Sequence, residues 1–283
     1  VTRYDDDGPG VPGPAPDGGV ALYLDLLKRC LLNLIYTDPP IATPWQARGE
    51  FDLAARLEGK DWPSLAHTMI GMSRLDNLQM LVEDLLAEEV PGDLMEAGIA
   101  RGGAAVFMRA VLKAHDVRDR LVWAADSFEG FPRTLDEAGH ESPLLGVMSQ
   151  LSGHVNDPAG TAYARFLRGT TLAEVQRTFA AYGLLDEQVR FLAGWFSHTL
   201  PMAPIDRLAL LRLDADLYGS TYEALRVLYP KVSLGGYVIV DDYHAIEECR
   251  AAVRDYLLSV HQKVTPERVD YSAAFWRKTE EPG

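Results

Sequence analysis

From residue 93 onward, short apolar runs of strand length alternate with stretches of helical spacing, and this alternation limits the folds open to the chain more than any other feature. The strand-like runs are DLMEA at 93–97, LVWAA at 121–125, VRFL at 189–192, LALLRL at 208–213 and GYVIV at 236–240. Helical periodicity occupies 104–115, 171–182 and 221–229 between them. Strands separated by helices are joined by crossovers rather than by tight hairpins, so the expected product is a mainly parallel sheet with helices on both faces. A final helix over 246–260 and a strand over 271–277 predict a hairpin added at the sheet edge.

The region before residue 93 reads differently. Apolar residues recur at helical spacing from 20 to 36 (ALYLDLLKRCLLNLIY) until Pro39-Pro40, and the pattern is too dense for a solvated face. A polar, irregular stretch then runs through Trp45 and Trp62 to Pro63, and AHTMIGMSRLDNLQMLVEDLLAEE predicts one or two helices ending before Pro91-Gly92. The expected organisation is a disordered lead-in over 1–19, a helical cap over 20–92 and a core domain over 93–283. Residues 133–169 carry Gly, Pro, Ser and His without periodicity; a loop of that length predicts a cover over a site.

Composition narrows the class further. A chain of 283 residues with 47% apolar content suits one large α/β core. No apolar run approaches the ~18 residues that span a bilayer, and the start lacks the basic and apolar regions of a secretory signal, so a soluble cytoplasmic protein with no membrane partner is expected. The net charge of −14, without a Lys/Arg cluster, argues against nucleic acid as a partner. Cys30 and Cys249 lie in apparent helices far from any CxxC spacing and read as reduced thiols.

Ligands of open α/β sheets sit beyond the carboxyl ends of the strands. After the first strand comes Glu96-Ala97-Gly98-Ile99-Ala100-Arg101-Gly102-Gly103, where glycines permit a tight turn and close approach to a ligand. The spacing is not the G-x-G-x-x-G of dinucleotide binders, and the Glu96 carboxylate suits a ligand ammonium better than a pyrophosphate. Asp126, ending the second strand, can accept from ribose hydroxyls, or simply cap a helix. Trp195 and Phe196 after the third strand can flank an adenine, with Ser197 at its edge, or pack in the core. Together these strand ends describe a nucleoside with a cationic amino-acid tail and no phosphate, which S-adenosylmethionine matches.

LALLRL runs into Asp214-Ala215-Asp216 and GYVIV into Asp241-Asp242, one helical crossover apart, so the two strands are expected to be parallel neighbours. Asp214 and Asp216 share a face about 6.6 Å apart at ~3.3 Å per residue. Two unit charges ~4 Å apart repel by about 4 kcal/mol at an effective dielectric near 20, so converging carboxylates need a cation or must take up protons. Oxygen donors without Cys or convergent His favour Mg²⁺ over zinc. Any one of these aspartates alone could cap a helix; the two motifs together point to a metal that lowers the pKa of a bound hydroxyl, with a neighbouring carboxylate as base.

The blocks ALYLDLLKRC, AHTMIGMSRLDNLQ, PGDLMEAGIARGGA, WAADSFEGFP, YGLLDEQVRFLAGWF, RLDADLYGST and GGYVIVDDY resemble the macrocin O-methyltransferase family of antibiotic deoxysugar methyltransferases, over nearly the whole chain after residue 19. The resemblance implies a Rossmann-like class I methyltransferase fold with a seven-stranded sheet and an N-terminal helical lid. It implies Mg²⁺-dependent transfer from S-adenosylmethionine to a sugar hydroxyl of a glycosylated natural product, of macrolide or aminocoumarin type, by a homodimer. It assigns Asp214, Asp241 and Asp242 as metal ligands and Asp214 or Asp216 as base. Glu96, Gly98, Gly102, Asp126, Ser127, Trp195 and Phe196 would hold the cofactor, with Thr68 and Met69 at its methionine end. Related catechol-type enzymes carry a lysine three residues beyond the first metal aspartate, where this chain has Leu217; His67 and His244 are the rival bases. The competing readings are a catechol or phenol methyltransferase and a non-catalytic nucleoside-binding protein.

Overall fold

The computed structural model describes residues 18–43, 49–132, 142–146 and 169–283. Most of the expected lead-in, Trp45 and most of the 133–169 insertion lie outside these residues. Five parallel strands run from one edge of the sheet: β1 (Asp93–Ala97), β2 (Val122–Asp126), β3 (Val189–Ala193), β4 (Leu208–Leu213) and β5 (Val232–Val240). β6 (Glu267–Arg268) and β7 (Ala274–Arg277) complete the order β3-β2-β1-β4-β5-β7-β6, with β7 antiparallel to β5 and to β6. The expected parallel sheet with an edge hairpin is therefore present. β5 begins four residues earlier than its apolar pattern implies, because the register with β4 jumps from Leu208↔Val232 to Leu210↔Tyr237. The bulge absorbs Gly235-Gly236, a pair that reads as a turn in the sequence.

Helices cover both faces. α1 (Gly19–Leu31), α2 (Leu53–Leu57), α3 (Gly71–Ala87) and α4 (Gly103–Ala114) precede α5 (Leu172–Ala181), α6 (Phe196–Thr199), α7 (Tyr218–Leu228) and α8 (Glu247–Ser259). α4 is buried from Gly103 to Leu112 without interruption, as a helix with apolar residues all round must be. Leu24, Leu27 and Leu31 of α1 and Leu75, Leu78 and Val82 of α3 share its core cluster, so these helices form an outer layer over α4. On the opposite face Leu211, Val238 and Val240 pack against Ala224, Leu228, Val253 and Tyr256 of α7 and α8. Among the described residues no helix is long and apolar enough to cross a membrane. Cys249 is buried, Cys30 is partly exposed, and both are free thiols.

Two cap elements depart from the expected boundaries. α1 stops at Leu31 rather than 36, because Asn33 adopts a left-handed backbone (φ 52°) and its side-chain amide donates to Asp38 at 2.8 Å. α3 starts at Gly71 rather than 66, because the preceding segment serves as a strap across the glycine turn. The His67 and Thr68 amides both donate to the Leu31 carbonyl, while Arg101 donates to the Pro63 and Ala66 carbonyls at 2.9 and 2.7 Å. This strap brings cap residues to the carboxyl end of the sheet.

Candidate active site

The carboxyl ends of the strands open into a cavity of about 550 Å³, within the usual size of small-molecule sites. At one end the β1 turn is seated directly on β4. Gly98 has φ +86°, its amide donates to the Ala125 carbonyl at 2.8 Å, and a Cβ there would stand 1.9 Å from the Asp214 carbonyl oxygen. Only glycine fits this contact. Asp126 buttresses the turn: one oxygen accepts from the Ile99 and Ala100 amides (2.9 and 3.2 Å), and the other accepts from the Phe128 amide at 2.9 Å. Its expected hydrogen bonding to a ribose thus stands beside a structural role. Gly98, Asp126, Ser127, Trp195 and Phe196 all line the cavity, and Thr68 and Met69 reach it from the strap. Gly102 does not; it is the left-handed N-cap of α4, packed toward Val175.

The DxD and DD motifs meet as expected, since Asp214 and Asp241 extend neighbouring strands: the Asp241 amide donates to the Leu213 carbonyl at 2.8 Å. The carboxylates that gather are Asp214, Asp216 and Asp242, with one oxygen of each lying within 4.8 Å of the others. This differs from the expected trio of Asp214, Asp241 and Asp242. Asp241 shares the sheet face of Ile239, which looks toward α3, and its two oxygens are held by Arg212 and by Arg74 of α3. Asp242, the next residue, has its Oδ2 buried without a hydrogen-bond partner. Asp216 stands with φ +55°, a left-handed conformation that aspartate tolerates better than most residues.

Arg212 carries no sequence motif, yet it organises the floor of the cavity. It sits 2% exposed in β4, directly beside Glu96 in the β1–β4 register, and donates to Glu96, to Asp241, and to Asp214 at 3.0 Å. Arg74 continues the chain to Asp270 at 2.7 Å. An arginine inside an otherwise apolar strand of a sheet covered on both faces must be paired, and that is the signal which marks LALLRL as more than core.

Burial works against the charge of Arg212, but Asp241, Asp214 and Glu96 outweigh it and hold its pKa above the ordinary value. Burial pushes the Glu96 carboxyl up to about 8, with the charges of Asp214 and Asp241 adding to the effect against that of Arg212. Asp216 is pushed up to about 8 by burial and then by Asp214 and Asp241. Burial and the charge of Asp241 raise Asp214, while burial with Asp216 and Asp214 lifts Asp242 well above the carboxylate range. Such a cluster holds protons at neutral pH unless a cation joins it. All-oxygen donors, crowding and the orphaned Asp242 oxygen fit a hard dication such as Mg²⁺.

Neither rival base is placed as well as the aspartates. His67 lines the cavity, but its Nδ1 lies 2.9 Å from the Tyr182 hydroxyl, and burial followed by the charge of Arg101 lowers its pKa. His244 does not line the cavity.

Doubly wound strands, a glycine turn after β1 and acidic strand ends around one cavity define the class I methyltransferase architecture. The solved structure of the O-methyltransferase NovP matches it with a TM-score of 0.79 at 45% identity, covering 93% of this chain and 100% of that one. The chain belongs to the macrocin-O-methyltransferase (TylF) family, which it matches over residues 20–278. It is 50% identical over 258 residues to the 8-demethyl-8-(2,3-dimethoxy-alpha-L-rhamnosyl)-tetracenomycin-C 4'-O-methyltransferase of Streptomyces olivaceus, covering 91% of this chain and 93% of that protein. It is 46% identical over 269 residues to the mycinamicin III 3''-O-methyltransferase of Micromonospora griseorubida, covering 94% and 99%. The expected O-methyltransferase class and fold therefore hold.

Proposed function

We propose that this chain methylates a sugar hydroxyl of a glycosylated natural product, using S-adenosylmethionine and Mg²⁺. One observation carries the reading: a single cavity joins the strand ends at Gly98, Asp126 and Trp195 to the acidic cluster of Asp214, Asp216 and Asp242. The sugar acceptor rests on the rhamnosyl and 3''-O-methyltransferase relatives named above.

When bound, the donor supplies an electrophilic methyl group on a sulfonium, and the metal supplies positive charge that makes the acceptor hydroxyl more acidic. The residues do the rest. Asp214 and Asp242 would offer oxygens to the metal, while Asp241 is gripped by two arginines. The carboxylate of Asp216 or Asp214 would take up the proton that the acceptor hydroxyl gives up on methylation. Glu96, whose second oxygen is left without a hydrogen-bond partner by Arg212, would accept from the donor's ammonium. The cap, 20–92, acts as a lid, contributing Trp62, Thr68, Met69 and Arg74 to the wall.

Val20, Leu22, Tyr23 and Leu26 leave α1 with an exposed apolar face, which supports a homodimer; a monomer in sedimentation equilibrium would count against it. The functional test is transfer of a labelled methyl group to a panel of glycosides, their aglycones and catechols, with and without EDTA. Turnover of glycosides alone, lost with EDTA and restored by Mg²⁺, is expected. Preference for a catechol, or full turnover without divalent ions, would overturn the reading.

A further inference from the structure

Beyond the acidic cluster the cavity is lined by Phe131, Leu144, Leu217 and Ile246. These belong to the acceptor end: Leu217 follows Asp216 directly, and the Ile246 amide donates to the Asp242 carbonyl at 2.9 Å. Leu217 and Ile246 stand at the starts of α7 and α8, on rigid elements. Leu144 comes instead from the turn 142–146, and something must hold it there.

That anchor is Glu248, in the first turn of α8. Its Oε1 accepts from the Ser142 hydroxyl and from the Leu144 amide, both at 3.0 Å. Ser142 in turn caps the segment, its hydroxyl oxygen accepting from the Leu145 amide at 3.1 Å and its carbonyl from the Gly146 amide at 2.9 Å. Leu145 and Leu217, 2% and 1% exposed, then pack together with Phe131 and Leu144 against them, a cluster separate from both faces of the core. A glutamate serving only the dipole of α8 would have no need of donors from a segment more than a hundred residues away. A carboxylate accepting two hydrogen bonds is a stronger peg than a neutral acceptor.

We propose that Glu248 is a positioning residue for the acceptor: it pins the 142–146 turn to α8, so that Leu144 completes an apolar wall against the hydrocarbon part of the methyl acceptor. This rests on the methyltransferase reading above but not on the acceptor being a sugar.

The test compares the full-length wild type with E248A and E248Q, using amide hydrogen exchange without ligand and steady-state kinetics on whichever glycoside or catechol the wild type methylates. In E248A the Leu144 and Leu145 amides should exchange faster, and the acceptor KM should rise about tenfold, equivalent to ~1.4 kcal/mol. The dissociation constant for the donor product, S-adenosylhomocysteine, should stay unchanged, and kcat should move far less than KM. E248Q, whose amide oxygen can accept the same two hydrogen bonds, should recover most of both effects. Unchanged exchange in E248A overturns the peg. Faster exchange with an unchanged acceptor KM, or an equal loss of donor and acceptor binding, overturns the positioning role. A wild type that methylates only catechols refutes the sugar reading and leaves the Glu248 comparison to be decided on the catechol.

Discussion

Replacing Gly98 with alanine would place a methyl group 1.9 Å from the Asp214 carbonyl oxygen, where real Cβ atoms essentially never come within 3.0 Å of another heavy atom. The ends of β1 and β4 would have to part by about 1 Å, a distortion of the kind that costs ~1–3 kcal/mol when a packed interior is overfilled. The left-handed backbone at φ +86° adds about 1–2 kcal/mol for any residue with a side chain. Gly183→Ala separates the two effects, because Gly183 is also left-handed at φ +65°, yet a Cβ added there would meet nothing within 4 Å. Urea unfolding should therefore show Gly98→Ala destabilised by roughly 2–5 kcal/mol and Gly183→Ala by roughly 1–2 kcal/mol. Calorimetric titration with S-adenosylhomocysteine should show affinity reduced at least about tenfold in the first variant and unaltered in the second. Equal stability losses in the two variants, with wild-type donor affinity in both, would refute the seating of the turn on Asp214.

Three further outcomes are expected. Asp214→Asn should lower turnover by about 10²-fold or more while donor affinity changes little, and an active variant in the labelled-methyl assay would remove Asp214 from the chemistry. Phe107→Ala should cost about 3–5 kcal/mol in denaturant unfolding, because Phe107 is wholly buried where α1 and α3 cover α4; a loss below about 1 kcal/mol would mean that the outer layer does not pack there. Burial opposes ionisation of Asp186, but the paired hydrogen bonds from Arg109 at 2.9 and 2.7 Å bring its pKa below the ordinary 3.8. Its stabilisation is present above that value and is lost as pH falls through the lower folded value, so Asp186→Asn should be less stable than wild type at pH 7 and converge with it under acid. A gap that is constant with pH would show that the charge is not involved.

Most of the sheet was legible because its strands are short, apolar and separated by helical periods, so that DLMEA, LALLRL and GYVIV locate themselves. The acidic motifs were legible as a pair because neighbouring parallel strands end together. The partner of each carboxylate was not: Asp241 gives its two oxygens to Arg212 and to Arg74, far upstream in α3, and no local spacing encodes that encounter. The early start of β5 was hidden by Gly235-Gly236, whose turn-like composition is absorbed by a bulge. The late start of α3 was hidden because a strap held by the Leu31 carbonyl has no helical or strand periodicity to betray it. Arg212 has a signal of its own in the sequence, since a guanidinium in the middle of a covered strand demands carboxylates on either side.

The last hairpin also has a bearing on how the molecule is made. Asp270 and β7 leave the ribosome after every other element of the parallel sheet, and until they arrive Arg74 lacks its second acidic neighbour and β5 presents a bare ribbon of amides and carbonyls. A chain lacking them would keep Arg74 and Arg212 on Asp241 but lose the Asp270 carboxylate that holds Arg74 and the Ser272 hydroxyl that donates to the Asp241 carbonyl, and it would leave a sheet edge unpaired beside the acidic cluster. Closure of this sheet edge and support of the acidic cluster are thereby tied to the same few residues.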